Sequence, residues 1–195
     1  MIRRIEIIAL MLIAVLFFFR LLAGMQLHVI LRILLVLISI FYMWFGFFLF
    51  TKMTIKDFSF PDKRKKLSPL KITGSITAGF IYSLSFIAII HALDFYRGMH
   101  FLSGLAFFLN LGVLGIVFFF LYVKNEKDAF YKQFLKRSSV MVLLFLIILL
   151  TPVEKRLGML YKDHPGFIEA YTAYMNDPDN PERIHHLREE RSAFR

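Results

Sequence analysis

The feature that most restricts this chain is a series of apolar segments of membrane-crossing length, separated by short stretches crowded with Lys and Arg. In order, the runs 3–22, 27–50, 72–93, 101–123 and 138–153 carry few charges. About 20 apolar residues rising 1.5 Å each cross a hydrocarbon core of roughly 30 Å. Inside that core every backbone N–H and C=O must be satisfied by the protein, and an α-helix does this within one segment. The expected fold is therefore all-α: a polytopic α-helical membrane protein with about five transmembrane helices and a short helical extramembrane carboxyl-terminal tail. Composition agrees, since 58% of residues are hydrophobic and 17% aromatic, with a mean hydropathy of +0.63, far above the ordinary soluble mix.

The basic stretches set the orientation. The linker 51–71 holds Lys52, Lys56, Lys63, Arg64, Lys65, Lys66 and Lys71 against Asp57 and Asp62, and short loops rich in Lys and Arg stay cytoplasmic. Lys124 to Arg137 adds five more, and Arg3 and Arg4 open the chain, which puts 14 of the 24 basic residues on one face. Arg20, Arg32 and Arg97 alone border the opposite loops. A transmembrane domain over 1–153 with a cytoplasmic linker is expected, then a charged tail over 154–195. The amino terminus is expected in the cytoplasm and, after five crossings, the carboxyl terminus outside a bacterial inner membrane. The net charge of +10 flanks apolar runs, so anionic lipid headgroups are the expected partner and nucleic acid is not. Lys63, Arg64, Lys65 and Lys66 are the candidate headgroup contacts.

Cysteine is absent, which removes disulfides, thiolate metal sites and a cysteine nucleophile. The first 20 residues resemble the opening of a signal peptide. Arg20 interrupts the place for a cleavage region, and Met25 stands where a lipobox needs cysteine, so 3–22 is read as an uncleaved span with Glu6 as its one acid.

Within the spans, Phe41, Tyr42, Trp44, Phe45, Phe47, Phe48 and Phe50 form an aromatic belt before the linker. Small residues recur in the third span (Gly74 and Ala78; Ser75, Gly79 and Ser83) and in the fourth (Gly104, Gly112, Gly115), where they let helix backbones approach. Packing of these two helices against each other is the first expectation, and a homodimer contact is the alternative. Asn110, polar and deep in the fourth span, is expected to hydrogen-bond to Tyr82, Ser83 or Ser85. The fifth apolar run is short for a span, so snorkelling of Arg137 and Lys155 is invoked to let it cross. No span shows a central proline or a buried ion pair.

In the tail, Asp163 is expected to cap a helix carrying Pro165 in its first turn, and Asn180 another that starts at Pro181. Phe167, Tyr171 and Tyr174 recur at helical spacing and form a candidate docking face, for the bilayer surface or the outer loops of this chain or, as the sharper alternative, for a protein partner.

The densest polar group near a membrane face is HALDFYRGMH, where His91, Asp94, Arg97 and His100 fall three apart. If the third helix ran through it, His91, Asp94 and Arg97 would share one face. With Asn110 they make a candidate outer-face polar cluster for proton or solute handling. No paired intramembrane carboxylates, HExxH, GxSxG, Walker loop or dinucleotide turn is present, so no catalytic residue, metal or cofactor is assigned. The expectation is a non-enzymatic accessory or scaffold subunit of an envelope membrane complex. The alternative is a small transporter or membrane enzyme built on the outer-face cluster.

Overall fold

A run of apolar residues becomes a helix with a definite start only where something satisfies its first N–H groups, and the third span shows how. Ser68 precedes Pro69, and its hydroxyl accepts from the Lys71 N–H at 3.4 Å. The proline sits where its missing donor would have no partner. The computed structural model describes residues 2–23, 28–51, 53, 57, 68–125 and 128–193. All regular elements among them are helical: α1 (Ile2–Ala23), α2 (His28–Thr51), α3 (Pro69–Leu93), α4 (Met99–Phe118), α5 (Ala129–Leu150), α6 (Val153–Leu160), α7 (Pro165–Asn176) and α8 (Pro181–Ser192). The last turn of α4 widens over Phe119–Val123, where the Lys124 N–H reaches the Phe119 carbonyl at 3.0 Å, five residues back. The protein is an all-α polytopic membrane protein. Among the described residues four helices are long and apolar enough to cross a bilayer: α2, α3, α4 with its wide turn, and α5. The linker residues Lys63, Arg64, Lys65 and Lys66 lie outside the described residues.

The described helices fall into two units, one holding Met1–Met11 and Leu34–Leu150, the other Leu12–Ile33 and Thr151–Arg195. In the first, α3 is the centre, with 61% of its apolar stretch buried against 17% for α4 and 22% for α5. The outward faces of α4 and α5 carry Phe101, Phe108, Tyr122, Val140 and Leu150, the composition a lipid-facing surface requires.

Helix α2 buries Leu35, Ile38, Tyr42 and Leu49, a three-and-four spacing that presents one face. That face meets α3 at two glycines. A Cβ on Gly46 would lie 2.7 Å from the Gly79 Cα, and one on Gly79 would lie 2.8 Å from the Tyr42 carbonyl oxygen, so no larger residue fits without separating the backbones. The expected use of α4's glycines is not seen. A Cβ at Gly104, Gly112 or Gly115 would meet nothing within 4 Å, whereas Gly79 and Ser83 of α3 serve its contact with α2 and Gly74 lies against Phe130 of α5.

The fifth apolar run is part of a longer helix. Asp128 caps α5 by accepting from the Phe130 N–H at 2.8 Å, and its other oxygen pairs with Lys71 at the start of α3. The 22-residue helix that follows includes Lys132, Lys136 and Arg137 and stops before Pro152, which disfavours helical geometry in the residue preceding it.

In the second unit α6 buries Val153, Leu157 and Leu160 on one face. The residue before α7 is His164, without a side-chain cap, one position later than the expected Asp163. Asn180 caps α8 as expected, its oxygen accepting from the N–H groups of Glu182 at 3.0 Å and Arg183 at 3.4 Å.

Candidate functional site

The first unit contains the buried ion pair that the sequence was expected to lack. Glu6, one turn into α1, is 2% exposed and Arg137, on α5, 18%. Arg137 donates from Nε to one carboxylate oxygen at 2.9 Å and from Nη2 to the other at 2.8 Å. The Tyr42 hydroxyl of α2 donates to the first of these oxygens. Beneath the guanidinium lies the Phe50 ring, its centroid 5.1 Å from Cζ. Two apposed N–H groups match a carboxylate's two oxygens, and burial removes the water that would otherwise weaken each bond.

An aromatic wall holds this node. Tyr42 stacks on Phe86 at 5.5 Å and touches Tyr82 at 5.5 Å, while Phe50 contacts Phe134 at 4.4 Å. The Tyr82 hydroxyl is 2.7 Å from the Ser138 hydroxyl, so the residue after Arg137 is fixed to α3. The node joins α1, α2, α3 and α5. Its carboxylate is already satisfied by three donors, which suits holding helices together better than accepting a substrate proton.

Two further buried polar contacts of the bundle likewise join one helix to another. The Ser39 hydroxyl donates to the Ser83 carbonyl at 3.0 Å and lies 2.9 Å from the Ser83 hydroxyl. Asn110 donates to the Ser85 hydroxyl at 2.8 Å and to the Ala106 carbonyl at 2.8 Å, which is the expected bond between the fourth and third spans.

The outer-face candidates are arranged differently from the helical extrapolation. Helix α3 ends at Leu93, and Phe95 (φ 52°) and Gly98 (φ 82°) turn the chain. His91 lies in the last helical turn, its ring 5.3 Å from that of Tyr96. Asp94 is buried, Arg97 and His100 are exposed, and Asn110 is committed to Ser85. The turn thus breaks the three-residue spacing after Asp94. Among the described residues no group of three or more His, Cys, Asp or Glu could hold a metal ion.

In the second unit the candidate docking face is turned inward. Phe167 and Tyr171 are buried and Tyr174 half-buried. Phe167 packs on Tyr161 at 4.6 Å, Arg20 lies 5.6 Å over the Tyr161 ring and Arg191 5.6 Å over Phe167. Two guanidinium groups thus bracket an aromatic pair, an arrangement favoured by the negative ring faces. Burial pushes the Tyr171 phenol up to about 12, helped by Tyr174 and opposed by Arg191 and Arg156. Burial also lowers the Arg156 guanidinium, against the field of Tyr171.

No family model, curated protein or solved structure matches this chain.

Proposed function

We propose that the chain is a non-enzymatic accessory or scaffold subunit of a membrane complex in a bacterial-type envelope, placed in the inner membrane. The observation that carries this reading is the use of polar side chains in the first unit. Glu6 with Arg137 and Tyr42, Ser39 with Ser83, Tyr82 with Ser138 and Asn110 with Ser85 each tie one helix to another. A protein that handles a solute in the bilayer aims such groups at a pathway; the pairs just named are spent on cohesion. The amino terminus is read as cytoplasmic with the basic linker, supported by Glu6 of α1 pairing with Arg137 of α5, whose guanidinium lies over Phe50 near the linker-side end of α2. The tail is read as external, after α1 crosses as a fifth span.

With Phe167 and Tyr171 buried, a protein partner would meet the exposed charged side of α8, where Glu182, His185, Arg188 and Glu189 lie. A photocrosslinker at Arg188 should give one adduct of fixed stoichiometry in gently solubilised membranes, and Arg188→Glu should weaken that complex while the chain stays inserted. A monomer with no adduct from any exposed α8 position would end the subunit reading. The transporter or enzyme alternative keeps observations in its favour: the His91 Nδ1, Ser103 Oγ and Asn110 Oδ1 atoms are buried without a hydrogen-bond partner, and Asp94 is buried at the end of α3. Asp94→Asn that abolishes function at normal protein levels would favour it.

A further inference from the structure

From the depth of Arg137 in α5 we infer that the Glu6–Arg137 pair sets how far α5 enters the membrane, so that the first helix controls the crossing of the fifth. Between Arg137 and Pro152 the chain offers Ser138 to Thr151, which at 1.5 Å per residue spans roughly 20 Å, short of a core of roughly 30 Å. The whole helix, at 22 residues, reaches roughly 33 Å. A full crossing therefore carries Arg137 roughly 12 Å in from the helix start at Ala129.

Three cations lie in that first part of α5, and they are treated differently. Lys132 and Lys136 are exposed and one turn apart, so their long side chains can run back to the headgroups. Arg137 does not run back. It is gripped by both oxygens of Glu6, lies over Phe50, and is followed at once by Ser138 bound to Tyr82. The acid that neutralises it belongs to α1, 131 residues away in sequence. Without that acid, the cheapest relief for a lone guanidinium at this depth is for α5 to slip toward the basic side until the charge reaches the headgroups.

The absence of cysteine makes the test direct. Ser139→Cys places a thiol on the exposed side of α5, two residues beyond Arg137, where lipid should shield it from a membrane-impermeant maleimide. With Glu6→Leu added, labelling from the linker side should quicken roughly tenfold or more. With Glu6→Leu and Arg137→Leu together, protection should return, because no charge is left to pull the helix. The exchange of Glu6→Arg with Arg137→Glu should also stay protected. Unchanged protection in Glu6→Leu would overturn the inference. Equal labelling in the single and the double variant would overturn it too, since the loss would then be one of packing and not of charge.

Discussion

The two units spend similar charged residues to opposite effect. In the bundle, one acid and one arginine meet with both N–H groups aligned on both oxygens, nearly out of reach of water. In the tail unit, Arg183 stands 4.0 Å from Asp177 and His185 3.4 Å from Glu189, the latter pair 74% and 63% exposed. Exposed pairs are screened by salt and cost side-chain freedom, so most contribute little. The tail is held instead by apolar and aromatic contact: Leu157 and Leu160 of α6, Tyr161 on Phe167, and guanidinium groups on ring faces. The lesson is that a charge-rich segment is not where charge matters most. Among the described residues, the bundle contains the buried pair whose disruption would leave an ion stranded.

The strongest way to break this comparison is to remove half of the buried pair. Arg137→Met leaves Glu6 buried with only Tyr42 as donor, and the loss should be about 3 to 5 kcal/mol. Adding Glu6→Leu should return most of that stability, because replacing both partners by apolar groups removes the desolvation cost along with the attraction. Unfolding in mixed detergent micelles, followed by circular dichroism, gives both values. If the double variant is no more stable than the single one, the node matters for its shape and not for its charge balance.

How much of this was legible in the sequence follows from the kind of signal each feature leaves. Long apolar runs and proline-marked helix starts act locally, so four of the five expected spans and the Asn180 cap could be read directly. Asn110 was legible because a lone amide in an apolar run must find a partner on the neighbouring span. The ion pair was not, although Glu6 stood out in its run, since pairing requires knowing that α1 and α5 are neighbours. Gly46 and Gly79 share that difficulty: α4's glycines looked equally suited to close packing, and only the tertiary arrangement selects between them. At His91 to His100 the extrapolation failed for a local reason, because Phe95 and Gly98 adopt left-handed backbone that ends the helical phase. The face of Phe167, Tyr171 and Tyr174 reads in the sequence as needing cover, and Tyr161 and Arg191 of this chain lie against its Phe167 ring.

The next effect tests whether burial in the tail unit is as firm as it looks. The Tyr171 phenol is raised from 10.0 to about 12, chiefly by burial. An unfolded tail releases that proton near 10.0, whereas the folded unit keeps it to about 12, so below pH 10 the two states bind it alike. Stability is then fully present below pH 10 and falls as pH rises toward 12, by about 2 to 3 kcal/mol. Near-ultraviolet circular dichroism across pH 9 to 12 should show the tail loosening, and Tyr171→Phe should remove most of that step. An alkaline loss unchanged by Tyr171→Phe would assign it to another group.

The smallest effects return to the tail's surface, where local hydrogen bonds and exposed ion pairs can be separated on one helix. Asn180 accepts from two N–H groups at the start of α8, donors that have no partner within the helix. Asn180→Ala should cost about 1 kcal/mol, with fraying confined to the first turn of α8 and read as faster amide exchange at Glu182 and Arg183. His185→Ala removes the contact with Glu189 from a surface where water solvates both groups, and should change stability by less than about 0.5 kcal/mol. The order of these two values is the sharp point. If His185→Ala costs more than Asn180→Ala, the tail's charges are held more tightly than their exposure implies, and the contrast between the two units narrows.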